Sequence, residues 1–280
     1  MTACYRQVLV HLDPTRAVQQ RLEAALRVAG QNGAALTAQY AATPSLVELA
    51  YAPEVYPLAG PDLAKLDDER RQLALDAFNA VAGTAGPQVR WSETSDPSVA
   101  RAFARQAFYA DLAILGQRDP GDGNASCVPD DFVQTVVLLS GRAALVLPYV
   151  KTTDTIGQIA VIAWKPTPEA ARAVTAALPF LQRAQHVHVL AWGGERPLDA
   201  VDGDLDLTTY LRAHGIETHW HAGGPEPGAI GELMLSRVFD LGADLLVMGC
   251  FSHSRAREWI LGGATRTVLA SMTVPVLMAH

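Results

Sequence analysis

The sequence predicts an α/β protein of two tandem, doubly wound, Rossmann-like domains, and three observations carry that reading. Short, nearly continuous apolar runs alternate with longer segments of helical spacing, the pattern of a parallel sheet covered on both faces. The segment Ala110-Asp-Leu-Ala-Ile-Leu-Gly116 recurs as Ala243-Asp-Leu-Leu-Val-Met-Gly249. A chain of 280 residues also suits two cores better than one, since single domains commonly hold roughly 100–150 residues.

The repeat extends beyond that pair. Gln7-Val-Leu-Val-His-Leu-Asp-Pro-Thr15 opens the first half as Gln158-Ile-Ala-Val-Ile-Ala-Trp-Lys-Pro-Thr167 opens the second. Ala143-Ala-Leu-Val-Leu-Pro148 closes one and Val274-Pro-Val-Leu-Met278 the other. Matched segments in one order imply two copies, 1–150 and 151–280, joined near Lys151-Thr-Thr-Asp154.

In chain order, Val8–Leu12, Leu36–Tyr40 and Leu112–Leu115 read as strands, and Leu22, Ala25, Leu26 and Ala29 share one helix face. Tyr51, Tyr56, Pro53, Pro57 and Pro61 mark a long irregular excursion near 44–62, and Leu66-Asp-Asp-Glu-Arg-Arg71 reads as the solvated face of a helix. Asp96-Pro97 predicts an N-cap with proline at the first helical position, over a buried stripe of Val99, Phe103 and Ala107. Thr167-Pro168 predicts the same start above Ala170, Val174, Ala177, Leu178 and Leu181.

Composition excludes several classes. Hydrophobic residues at 49% and charged residues at 18% describe a globular chain, and a net charge of -7 argues against nucleic-acid binding. Cys4, Cys127 and Cys250 share no CxxC spacing, so neither a disulfide framework nor a cysteine zinc site is expected. The run Val8–Val10 is too short for a signal peptide or a membrane span, which predicts a cytoplasmic protein without a membrane partner.

Open α/β sheets bind ligands beyond the carboxyl ends of their strands. After the fourth strand of the second half, Gly262 and Gly263 precede an amphipathic helix with Thr265 in its first turn, and Arg255, Arg257 and Arg266 lie near in sequence. Backbone N–H groups and a hydroxyl at such a start can surround an anion. The tandem layout, this segment from Gly249 to Arg266, the Ala-Asp-Leu-Leu-Val-Met-Gly strand and the closing Val274–Met278 together resemble the universal stress protein family.

That resemblance implies a five-stranded parallel sheet per domain. It implies last strands that lie side by side in an internal pseudo-dimer, and a homodimer beyond it. Some members bind ATP or AMP, and no metal is then expected beyond the Mg that accompanies a nucleotide. Their pattern of Gly, two residues, Gly, nine residues and Gly with Ser or Thr falls on Gly249, Ser252, Gly262 and Gly263, where Ser252 replaces a glycine and Gly263 a hydroxyl. Thr265 matches a hydroxyl that such members place near phosphate, and their acidic residue after the first strand falls at Lys165. The resemblance thus implies a nucleotide site of Ala163, Trp164, Lys165, Met248, Gly249, Ser252, His253, Gly262, Gly263, Ala264 and Thr265. The expected function is a non-catalytic stress-response protein binding a small ligand in its second half, the alternative being a scaffold with empty crevices.

The first half keeps the acidic residue as Asp13, followed by Thr15, but Gly116 leads into Gln117-Arg-Asp-Pro-Gly-Asp-Gly-Asn124. Asp119, Asp122, Asp130 and Asp131 would repel phosphate, and the spacing is that of a solvated turn rather than a calcium loop. Asp13, Thr15 and Gly116 therefore read as a degenerate site. Elsewhere, His186-Val-His188 and His219-Trp-His221 each place two rings on one side of a strand, at heights expected to differ, so no metal site is expected. No Gly-x-Ser-x-Gly elbow or Walker loop occurs. Cys250, with His253 three residues on, reads as a packed thiol and no catalytic residue is assigned.

Overall fold

The computed structural model describes residues 3–48, 56–83, 89–150, 155–192, 205–223, 229–250 and 263–280. The chain divides into two compact units, one built on Tyr5–Arg142 and one on Thr152–His280, with Ala143–Pro148 joining the latter.

The N-terminal unit runs β1 (Gln7–Leu12), α1 (Val18–Asn32), β2 (Ala35–Tyr40), α2 (Ser45–Glu48), α3 (Tyr56–Ala82), β3 (Val89–Glu93), α4 (Val99–Ala107), β4 (Leu112–Gly116) and α5 (Phe132–Ser140). Its strands lie in the order β3-β2-β1-β4, and every pair among them is parallel. The C-terminal unit holds β5 (Ala144–Leu147), β6 (Ile159–Trp164), α6 (Pro168–Leu181), β7 (His186–Ala191), α7 (Leu207–Ala213), β8 (His219–Ala222), α8 (Ile230–Asp240), β9 (Leu245–Gly249), α9 (Gly263–Ser271) and β10 (Val276–Ala279). Here β10-β9-β6-β7-β8 are parallel neighbours, and β5 runs antiparallel to β10 with Val146 opposite Val276. Each unit is doubly wound, and the chain reverses its strand order at β1/β4 and at β6/β9, where crevices open in this architecture.

The repeated Ala-Asp-Leu has a structural cause. Asp111 accepts from the backbone N–H groups of Arg6 and Gln7 at 2.6 and 3.0 Å, while its own N–H reaches Gln7 O. Asp244 accepts from Gly157 and Ile159 at 3.0 and 2.9 Å, and its N–H reaches Ile159 O. In both units the aspartate satisfies N–H groups where the first strand begins, ahead of the ladder that satisfies the rest. Leu112 and Leu245 then enter the core fully buried.

Some local expectations change. Thr167 does cap α6, accepting from Ala170 N–H with Pro168 in the first turn, above a fully buried stripe. The start expected at Asp96-Pro97 moves instead to Val99, with Ser98 at the N-cap. Asp96 closes a local turn by accepting from Ser98 N–H at 2.8 Å and holds Arg105. The excursion near 44–62 is in part helical, since Pro57 and Pro61 lie within α3, while Tyr51 and Pro53 fall outside the described residues. On α3, Arg70 is buried rather than solvated, because Glu48 and the Ser45 hydroxyl take its guanidinium at 2.8 and 2.7 Å. The junction Lys151–Asp154 also lies outside the described residues. Among the described residues no helix is long and apolar enough to cross a membrane.

Candidate functional site

In the N-terminal unit, β1 pairs with β4 so that Val10 faces Ile114. Asp13 and Gly116 therefore leave the sheet beside each other. Between them stands Arg21, from the first turns of α1, a residue the sequence pattern left unremarked because an arginine early in an amphipathic helix usually faces water. It is 2% exposed. Its Nη1 donates to Asp13 Oδ2 at 2.7 Å and to His11 O at 2.9 Å, and its Nη2 to Thr15 Oγ1 at 3.3 Å. Thr15 in turn donates its N–H and hydroxyl to Asp13 Oδ1. A methyl group on Gly116 would sit 2.6 Å from Arg21 Nη2 and 2.7 Å from its Cζ, so the guanidinium lies on the glycine itself. Asp13, Thr15 and Gly116 are thus brought together, around the protein's own cation.

The electrostatics follow from that packing. Burial alone would raise the Asp13 pKa, but the Arg21 charge, then His11, and the hydrogen bonds from Arg21 and Thr15 hold it down at about 2. His11 stacks on Phe132 at 4.2 Å and meets the edge of Phe103 at 5.4 Å. Burial, with Arg21 helping against Asp13, lowers its pKa to about 4, so the ring is neutral at pH 7. The following loop is tied down rather than poised for a cation. Asp122 takes the Arg16 N–H at 2.7 Å, Asp119 and Asp122 close local turns onto Gly121 and Asn124, and Asn124 donates to Pro14 O.

The C-terminal unit treats the same place differently. Ala163 pairs with Met248, so Trp164 and Lys165 emerge beside Gly249. A methyl group on Gly249 would lie 2.5 Å from Ala170 N and 2.8 Å from the Glu169 carbonyl carbon. Here helix backbone, not a side chain, approaches the strand end, and only glycine allows it. Ala163 and Met248 are buried, Trp164 is half-buried and Lys165 is exposed. Gly263, Ala264 and Thr265 form the first turn of α9, with Gly263 exposed and Thr265 buried. That turn packs on α8, where a methyl on Gly231 would come within 3.0 Å of Ala264 O. Ser252, His253 and Gly262 lie outside the described residues. Trp192, just past β7 and 8% exposed, has an Nε1 without a partner among the described residues, a buried donor that sequence patterning did not flag.

Cys250 is a packed thiol. Its Sγ donates to Ala279 O at 3.2 Å, and burial pushes its pKa well above the ordinary range, which leaves it un-ionised and unreactive. The histidine pairs of β7 and β8 are staggered by two residues. His219 opens β8 just as His186 opens β7, and His188 lies directly opposite His219. Only His188 and His219 share a height, His186 and His221 lie one step to either side of them, and all four fall on one face of the sheet.

Among solved structures, a universal stress protein from Archaeoglobus fulgidus DSM 4304 is similar with a TM-score of 0.68 at 15% identity, over 98% of this chain and 95% of its own. A functionally unknown protein from Pseudomonas aeruginosa PAO1 is similar at a TM-score of 0.58 and 15% identity, over 98% and 92%. At such identities the likeness shows the fold: this chain has the universal stress protein fold along nearly its whole length. No family model and no curated protein matches the sequence.

Proposed function

With that fold as the premise, we propose that the chain is a non-catalytic stress-response protein that holds an adenine nucleotide, ATP or AMP, in the crevice of its C-terminal unit. The observation that carries the reading is what stands against the two strand-end glycines. Arg21 lies on Gly116, whereas the atoms nearest to a methyl on Gly249 among the described residues are backbone atoms of α6. The N-terminal crevice is in this reading a copy closed by its own ion pair, and the C-terminal one takes the ligand.

The proposed site is Ala163, Trp164 and Lys165 along the base and sugar, Met248 and Gly249 at the strand end, and Ser252, His253, Gly262, Gly263, Ala264 and Thr265 around phosphate. Lys165 supplies a point charge where an acceptor for ribose would otherwise stand, so it favours the phosphate end of a ligand over the sugar. Calorimetric titration of the full chain with ATP, ADP and AMP, with and without Mg, tests this. One equivalent is expected, weakened about tenfold by Thr265→Val, which removes a hydroxyl and keeps the shape. Absence of binding to all three nucleotides would transfer the assignment to a scaffold acting through protein contacts, the reading favoured by Ser252, Gly263 and Lys165 standing outside the family pattern.

A further inference from the structure

The β7–β8 pair carries four imidazoles on one face of the sheet. His186 and His188 share a side of β7, and His219 and His221 a side of β8, by the period of two. The register sets His188 opposite His219 and Leu190 opposite His221, so these sides are the same. Ring centroids lie 5.5 Å apart for His188–His219, 5.1 Å for His188–His221 and 6.2 Å for His186–His219. One contact fastens the strands to each other: His188 Nδ1 and His221 Nε2 share a hydrogen bond at 3.0 Å. Strand β8 is the last of the sheet, so among the described residues it has a ladder on one side alone.

Among the described residues no carboxylate pairs with this face. On β6, Ile159 and Val161 lie opposite His186 and His188, and both are apolar. Helix α7, with Asp206 and Arg212, packs behind the sheet, where Trp220 donates its Nε1 to Thr208 at 3.1 Å. Glu217, two residues before His219, is exposed and pairs with none of the rings, and His11–Asp13 is the one histidine–carboxylate pair among the described residues. Burial first, then His221, His219 and His186, hold the His188 pKa below its ordinary value. The hydrogen bond sets the same limit by geometry. It needs an N–H on one ring and a lone pair on the other, and two charged rings have no acceptor between them. The docked face therefore holds fewer protons than four free imidazoles.

We propose that the cluster is a proton-operated latch: while the rings are neutral the His188–His221 bond fastens the edge strand β8 to β7, and their charging in mild acid drives β8 off the sheet. Free imidazoles take up protons near about pH 6.5. The detached strand binds more protons than the docked one, so docking is strongest above that pH and weakens as pH falls through it. Release uncovers more than a strand edge. Gly223, directly after β8, gives its N–H to Ala191 O at 2.7 Å, and the Trp192 indole lies on it. Opening the latch thus lifts a cover from Trp192 at the carboxyl end of the sheet. The latch needs no nucleotide, so it stands whether or not the crevice is filled.

The test is hydrogen exchange read by mass spectrometry on the full chain at about pH 7.5 and about pH 5.5, each rate corrected for the intrinsic pH dependence of amide exchange. A peptide covering β8 is compared with one covering β10 of the same unit. In acid β8 should lose about tenfold of its protection while β10 keeps its own. His221→Gln, whose amide cannot charge, should cut that loss to about threefold or less. The pair His186→Gln and His219→Gln, at two exposed positions that folding does not need, should cut it likewise while keeping the His188–His221 bond. His214→Gln, a histidine at the end of α7 and off this face, should leave the tenfold loss unchanged. Equal protection of β8 at the two pH values, an equal loss in β10, an undiminished loss in either cluster variant, or a loss abolished by His214→Gln would each overturn the latch.

Discussion

The ends of β4 and β9 occupy the same position in two copies of one fold, yet different groups stand against them. At Gly116 a buried arginine, held by Asp13, Thr15 and a main-chain carbonyl, lies on the glycine. At Gly249 the first turn of α6 leans its backbone against the strand. The difference comes from a few side chains. Arg21 needs Asp13, since a guanidinium taken out of water must be paired, and the second copy has Lys165 where that carboxylate would be. A repeat can therefore keep its strand order while one copy fills the space beside its strand end with an internal cation.

The largest effect should come from breaking the internal pair. Arg21→Ala leaves the Asp13 carboxylate buried without its cation, and urea unfolding should show a loss of about 3–5 kcal/mol. A loss below about 1 kcal/mol would mean that Arg21 does not hold the N-terminal crevice shut. Next comes the glycine contrast. Gly249→Ala drives a methyl into helix backbone and should cost about 1–3 kcal/mol. Gly116→Ala meets the end of a side chain and should cost less. Equal melting temperatures for the two variants would erase the distinction drawn between the crevices.

Acid should separate the units as well. The unfolded chain protonates His11 below about 6.5, whereas the folded unit resists until about 4. Asp13 takes its proton near 3.8 unfolded and near 2 folded. In both windows the unfolded state binds more protons, so stability falls as pH drops from about 6.5 to 4 and again from about 3.8 to 2. His11→Gln should flatten the upper window in unfolding measured across pH, and an unchanged slope would remove His11 from the account. The smallest contrast concerns the repeated aspartates. Asp244→Ala, which strips one buried and one part-buried N–H group of their acceptor, should cost about 1.5–3 kcal/mol. Asp111→Ala, at a solvent-exposed strand start, should cost about 1 kcal/mol or less by the same chevron or urea measurement.

Much of this was legible beforehand, for identifiable reasons. Thr167-Pro168 carries its signal in adjacent residues, a hydroxyl cap and a proline with no N–H to lose, and α6 starts there. Asp96-Pro97 carries the same local signal, but Ser98 N–H and Arg105 both claim the Asp96 carboxylate, so the helix begins later. Arg70 shows the same limit. Its neighbours in the chain are solvated, and only the approach of α2, bringing Ser45 and Glu48, buries it. In the crevices, Asp13, Thr15 and Gly116 could be found from position after a strand, whereas Arg21 could not, because its partner sits across a turn on another element.

The amino-acid order by itself determined the alternation of strands and helices, the doubling of the fold and the glycines at the strand ends, since periodicity and chain geometry act between near neighbours. Which group stands on each glycine, and that four histidines of β7 and β8 share one face, depended on register and on helix docking. Those are set by the summed burial of many distant residues, and no short stretch of the chain encodes them.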